Sequence, residues 1–265
     1  MYPILVDLYG FEIRSFEVML LVAWAMGLSL AVQQAKTEGL DGSMMSVCWF
    51  WGLIGAVVSA RLPDLLSSPP ATYDGPVLMQ FLERLQHSRS SSLSGLLGAA
   101  VTGTGILFFH RQAILRYADA AVPGIFILLA MCRLGCFLNG CCFGVPTQGW
   151  WGCWFHPNSA AGIYAASLGD VRLVPTQLLL ASGNLAVSIL AVFLRASMQA
   201  PGTKCCVMMF LYAGLRTIVA VWRAPHFFVG EQTDIGQDQI VWIAIGAGSI
   251  VLMIFMRDRN GIKSV

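Results

Sequence analysis

Charge is what this sequence lacks. Only 11% of its 265 residues are Asp, Glu, Lys or Arg, while 57% are hydrophobic. A water-soluble domain carries about 25% charged residues, so this chain has too few to cover a surface facing water. That excludes an ordinary soluble globular protein and makes an integral membrane protein the expectation. A block of basic residues is missing too. The net charge of +2 is spread along the chain, which leaves nothing to hold nucleic acid. The opening MYPILVDLYGFEIRSF has no basic flank before its apolar segment, so it does not read as a cleavable signal peptide. No Cys-x-x-Cys pair and no zinc-ligand spacing occurs, and neither a metal nor a cofactor is expected. Short alternating segments are also absent, which excludes a transmembrane β-barrel.

What is present is a set of long apolar runs. A membrane helix needs about 20 mostly apolar residues. Seven segments qualify, at 15–33, 44–61, 93–110, 118–138, 176–196, 204–222 and 238–256. The fold class expected is therefore an all-α integral membrane protein of seven transmembrane helices, one polytopic domain over residues 1–265. The third segment carries GLLGAAVTGTG, whose small residues let helices approach closely. With the N-terminus outside, the inner segments and their borders hold Lys36, Arg111, Arg116, Arg195, Lys204, Arg257, Arg259 and Lys263. The longer outer segments hold only Arg14, Arg61, Arg84, Arg89 and Arg172. The positive-inside rule then places the C-terminus in the cytoplasm.

Two outer loops are long. In residues 62–92, the leucines and phenylalanine of VLMQFLERLQHS fall at helical spacing, as in an amphipathic helix lying on the membrane surface. Residues 139–175 carry Trp150, Trp151, Trp154 and Phe155, read as an aromatic belt at headgroup depth.

Arginine inside a membrane helix costs about 2.5–3.5 kcal/mol on insertion scales, so a retained one usually faces a cavity or a ligand. Arg133, Arg216 and Arg223 are the candidates. Arg216 and Arg223 lie seven residues apart, close to two helical turns, and share a face. In the expected topology Arg133 and Arg223 reach the same outer level. Each guanidinium presents a planar fork of donors that fits phosphate oxygens. Gly135, Gly140 and Gly144 around Asn139 permit a tight, polar segment at the membrane edge, a backbone tolerated where it lines a cavity. The pattern reads as the wall of a lipid-binding pocket with Arg133 as its phosphate clamp.

These residues resemble the signature of the bacterial prolipoprotein diacylglyceryl transferase family, Gly-Arg-x-Gly-Asn-Phe-x-Asn-x-Glu-x-x-Gly, through Arg133, Gly135, Phe137, Asn139 and Gly144. Further pieces follow in order. Ile13 to Phe16, Gly55 to Arg61, Ser94 to Gly98, Pro175-Thr176-Gln177, Arg216 through Arg223, and Ile235-Gly236-Gln237 resemble the family's remaining motifs. The resemblance implies transfer of a diacylglyceryl group from phosphatidylglycerol to the thiol of a lipobox cysteine in a preprolipoprotein, in the bacterial cytoplasmic membrane, with the enzyme expected to act as a monomer. It implies Arg133, Arg223 and Asn139 as catalytic residues. Arg61, Gly135, Gly144, Gln177 and Arg216 would bind substrate or membrane lipid.

Departures from the family pattern are marked. Cys132, Cys136 and Cys141 stand where the signature has Gly, Asn and Glu. Leu93 and Val174 replace histidines, Phe16 a tyrosine, and Leu180 and Ala220 glutamates. The proton acceptor is thus open among His87, His156 and His226, all in outer loops. Two other classes of function stay open: an altered paralogue that binds lipid or lipoprotein, and a membrane thiol protein using Cys136, Cys141, Cys142 and Cys153. Within the latter, a disulfide of Cys153 with Cys141 or Cys142 is one expectation and a soft metal bound by the cysteines with His156 another, and an acyl-lipid transferase using a different acceptor is open as well.

Overall fold

The structure, a computed structural model, describes residues 4–8, 11–67, 92–194, 200–224 and 235–261. A backbone in lipid must satisfy its own hydrogen bonds, and the apolar runs do so as helices. Each of the seven runs is helical: α1 (Ser15–Thr37), α2 (Gly42–Ser67), α3 (Ser92–Phe109), α4 (Ile114–Asn139), α6 (Thr176–Phe193), α7 (Thr203–Ala220) and α8 (Ile235–Gly261). A short helix, α5 (Ala160–Ser167), interrupts the loop between α4 and α6. Among the described residues, α1, α2, α4, α6 and α7 are long and apolar enough to cross a membrane, and α3 and α8 contain shorter apolar stretches, Ser94–Phe109 and Gln239–Phe255. This is a helical membrane protein. Leu21, Val58, Val101, Phe193 and Val251 stand exposed on helix faces, as a lipid solvent requires.

The all-α expectation omits one element. Strands β1 (Ile4–Leu8) and β2 (Phe11–Arg14) pair antiparallel ahead of α1. The residues ILVDL and FEIR are rich in β-favouring side chains and too short to make a helix of their own.

The elements form two compact units, residues 1–34 with 118–265, and residues 35–117. In the second unit α2 and α3 pack through glycines. A Cβ on Gly98 would strike Ser59 and the Gly55 carbonyl, and one on Gly55 would strike Thr102. Ser59 and Thr102 return their hydroxyls to the carbonyls of Gly55 and Gly98, at 2.6 and 2.8 Å. The Gly98→Val variant is expected to force these helices apart and lose about 1–3 kcal/mol, the usual cost of overpacking. Thermal aggregation in detergent measures the loss, with Gly105→Ala, where no atom stands within 4 Å of the added carbon, as the neutral control.

In the first unit α4 is central. Gly124 meets Ala31 of α1, and Gly135 lies against Phe16 and Met19 of the same helix. The Ser188 hydroxyl of α6 donates to the Pro123 carbonyl at 2.8 Å. Asp119 caps α7, its carboxylate accepting from the backbone N–H of Gly202 at 2.6 Å and of Cys205 at 2.8 Å. A carboxylate at a helix N-terminus satisfies orphan donors and complements the helix dipole. Removing it in Asp119→Ala is expected to cost about 1–2 kcal/mol, read as a lowered unfolding midpoint.

The segment after α4 has its own core of Phe155, Ala161, Ala165 and Leu173. This corrects the aromatic-belt expectation in part. Trp150 is 90% exposed, and Trp151 and Trp154 are exposed too, whereas Phe155 keeps only 9% and packs edge-on against Phe137. The tryptophans suit a headgroup interface, and the phenylalanine holds the loop together. The amphipathic stretch in 78–85 lies outside the described residues.

Candidate functional site

The site is built at the end of α4. Gly140 adopts φ +70°, a left-handed conformation that glycine takes without steric cost. Its N–H donates to the Phe137 carbonyl, and that of Cys141 donates back to the Cys136 carbonyl at 3.1 Å. This pair of bonds is a Schellman cap, which ends a helix sharply and reverses the chain. The reversal carries Cys141 and Cys142 back beside Cys136. The three sulfurs lie within 4.8 Å of one another, and no other such group forms among the described residues. Cys142, at φ +59°, is a non-glycine residue in the left-handed region, the kind of local strain that persists where surroundings enforce it.

What enforces it is a mesh of hydrogen bonds. Thr176 Oγ1 donates to the Cys142 carbonyl at 2.8 Å, and Gln177 Nε2 to the Cys141 carbonyl at 2.7 Å. Gly144 N–H donates to the Val174 carbonyl at 2.8 Å, Val145 N–H to Trp222 at 2.9 Å, and Ala224 N–H to Phe143 at 3.3 Å. Gly144 and Arg223 thereby form an antiparallel bridge. A residue just past the end of α7 is tied by backbone to the loop just past α4.

A narrow cleft opens beside this mesh. Arg133 of α4 and Cys142 line it from one side, and Thr176 and Leu180 of α6 from another. Arg216, Val219, Ala220 and Arg223 form a third wall, and Trp242 of α8 a fourth. Arg216, Val219 and Ala220 share one face of α7, and Arg223 follows three residues past the end of the helix. Arg216 is buried, and its guanidinium lies 5.0 Å over the Trp242 ring. Trp242 also stacks edge-on against Tyr212, one turn before Arg216. No Asp or Glu is among the lining residues. Hydrogen bonds from the Cys136 and Cys141 thiols, with Arg133 and Arg223 nearby, hold the Cys142 thiol well below its usual range. The site therefore offers three guanidiniums and a thiolate-favouring sulfur in one partly enclosed space, a constellation suited to an anionic group carrying oxygen acceptors.

A sequence model of one family, described as prolipoprotein diacylglyceryl transferase, matches residues 3–255. The chain belongs to that family. Relatives named phosphatidylglycerol–prolipoprotein diacylglyceryl transferase occur in Finegoldia magna, 23% identical over 94% of this chain and 93% of the relative, and in Gloeobacter violaceus, 25% identical over 92% and 90%. A relative in Clostridium tetani is 23% identical over 56% of this chain. The chain spans about half the length of several curated relatives it matches, 58% for that protein and 48% for one from Thermus thermophilus.

Of the residues that carry the family resemblance, the structure brings Arg133, Arg216 and Arg223 into one cleft. Others have different stations. Gln177 is fully buried and holds the Cys141 carbonyl rather than lining the cleft, and its Oε1 has no hydrogen-bond partner among the described residues. Gly135 serves the contact of α4 with α1. Gly144 serves the bridge to Arg223. Asn139 ends α4 next to the Cys141 thiol without lining the cleft. Arg61 belongs to α2, in the other compact unit. His156 does not line the cleft either, and its Nδ1 accepts from the Asn158 N–H at 3.2 Å. His87 and His226 lie outside the described residues. The expected disulfide is not formed, because all eight cysteines are free thiols. Cys153 instead pairs by backbone with Leu173. Sequence reasoning missed Thr176, Cys142 and Trp242 as cleft walls. Thr176 was visible only as part of a motif, and Trp242 looks like any interfacial tryptophan until α8 is packed.

Proposed function

We propose that this protein transfers the diacylglyceryl group of phosphatidylglycerol to the thiol of a lipobox cysteine in preprolipoproteins. The convergence of Arg133, Arg216 and Arg223 on one cleft carries this reading. The substrate sulfur, as thiolate, attacks the glyceryl carbon bonded to the phosphate oxygen. The carbon–sulfur bond forms, the carbon–oxygen bond breaks, and glycerol 1-phosphate leaves with the electron pair. Charge grows on the phosphate during that step, and fixed guanidiniums aimed at it stabilise the transition state more than the ground state. The same positive field favours the thiolate of the incoming cysteine. Arg133 and Arg223 grip the phosphate, Arg216 adds to the field from the α7 wall, and Thr176 and Gln177 hold the loop that carries Cys141 and Cys142. The chain sits in the bacterial cytoplasmic membrane with seven spans, the N-terminus outside and the C-terminus in the cytoplasm, and it works as a monomer.

A second reading has a specific observation behind it. Leu180 and Ala220 line the cleft where the family pattern has glutamates, which favours a paralogue that binds anionic lipid or lipoprotein without transfer. Expression in a strain depleted of its own transferase separates the two. Restored growth and a lipid-shifted lipoprotein on gels are the expected result. Failure at every expression level, with the protein present in the membrane, assigns the binding role instead.

A further inference from the structure

The three-sulfur group at the end of α4 is not needed for phosphate binding, and its geometry asks for a different ligand. We propose that Cys136, Cys141 and Cys142 form a three-coordinate site for a thiophilic monovalent ion, Cu(I) being the ion that fits best. Their sulfurs are mutually within 4.8 Å, a spread that small side-chain rotations bring onto one ion. The arrangement is built rather than incidental. The Schellman cap fixes Cys141 against Cys136, the Thr176 and Gln177 side chains pin the carbonyls of Cys142 and Cys141, and Cys142 is held in a left-handed conformation that a cysteine does not adopt by default.

The donor set selects the ion. Soft thiolates prefer Cu(I), Zn(II) or iron–sulfur clusters among common biological metals. Tetrahedral Zn(II) calls for a fourth ligand, and among the described residues no further Cys, His, Asp or Glu joins the group. Cu(I) is satisfied by three thiolates. Such a complex carries a charge of −2, and Arg133 and Arg223 line the same cleft as Cys142. A net cationic complex would be repelled there, and a net anionic one is stabilised. Cys142 lines the cleft, so the ion has an entrance.

The test uses the full chain, reduced and anaerobic, in detergent. Cu(I) is titrated against a chromogenic Cu(I) chelator, and X-ray absorption is recorded on the loaded protein. One equivalent bound with three sulfur neighbours is expected, and Cys136→Ser, Cys141→Ser and Cys142→Ser should each weaken binding by more than the roughly 10–100-fold that loss of a supporting residue costs. Cys153→Ser and a Cys205→Ser, Cys206→Ser pair should leave it unchanged. Absence of Cu(I) binding by wild type, two sulfur neighbours only, or loss confined to the control variants overturns the site. Tighter binding of Zn(II) than Cu(I) overturns the choice of ion. Since wild-type spectroscopy needs no variant, misfolding of a serine mutant does not blunt the result. None of these readouts depends on transferase activity, so the copper site and the proposed transfer stand or fall separately.

Discussion

Arg133→Ala and Arg223→Ala are each expected to reduce diacylglyceryl transfer by about 10²–10³-fold, the cost of deleting one preorganised charge-stabilising group. The assay is conversion of a lipobox peptide in vesicles containing phosphatidylglycerol. Both arginines line the cleft, but they are held differently. Arg133 projects from the last two turns of α4, whereas Arg223 is placed by backbone pairing with Gly144. Lysine at either position keeps the charge and loses the planar fork, so Arg133→Lys should recover only part of the rate. The double alanine variant should fall short of the product of the single losses, because two groups holding one phosphate act as a unit. Each variant should elute from size exclusion as wild type does. A wild-type rate in Arg133→Ala would remove the cleft from consideration as the site of transfer.

Arg216 gives a contrast within the same wall. It is buried, and its guanidinium lies over the Trp242 ring, which ties α7 to α8. Its removal therefore mixes loss of field with loss of packing, and it is a poorer probe of chemistry than its two partners.

How much of this was legible in the sequence follows from what the physics leaves free. Lipid leaves a backbone few choices, so the seven apolar runs had to become helices, and they did, with ends displaced by a few residues. The spacing of Arg216 and Arg223 reads as one helix face, but α7 ends at Ala220, so Arg216, Val219 and Ala220 make up that face while Arg223 reaches the same cleft from its bridge with Gly144. The meeting of Arg133 with that face was an inference from topology, and the cleft brings them together. What sequence could not supply was direction. Gln177 looked like a lipid ligand, but an amide reads the same whether it meets substrate or a backbone carbonyl, and here it meets Cys141. Phe155 looked like its tryptophan neighbours, yet it turns inward because the 140–175 loop is long enough to have a core. The approach of Cys136 to Cys141 and Cys142 depends on a cap at Gly140, a tertiary event that spacing does not announce. The pairing of β1 with β2 leaves little trace in the sequence, because strands of five and four residues are too short to show a period beside long apolar runs.

The same reasoning isolates Gly144 as the position where the smallest chemical change should have the largest structural effect. A single Cβ there would strike the Trp222 carbonyl, come within 2.7 Å of Val174 Cβ and reach 2.8 Å from Thr176 Cγ2. The first obstacle is backbone, which cannot rotate away, and it belongs to the residue before Arg223. Gly144→Ala must therefore push the 222–224 segment outward, lengthen the Val145–Trp222 hydrogen bond and move the Arg223 guanidinium. A displacement of about 1 Å costs on the order of 10²-fold in rate when a catalytic group must be aligned. Overpacking adds about 1–3 kcal/mol of destabilisation. Gly214→Ala is the control, on the same helix as Arg216 but with no atom within 4 Å of the added carbon. It should keep full activity and gain stability by up to about 1 kcal/mol from helix propensity. Rates and unfolding midpoints of the two alanine variants, measured side by side, distinguish a backbone bridge that positions Arg223 from a glycine that is merely small. Equal behaviour of the pair would mean that the bridge does not set the position of the guanidinium.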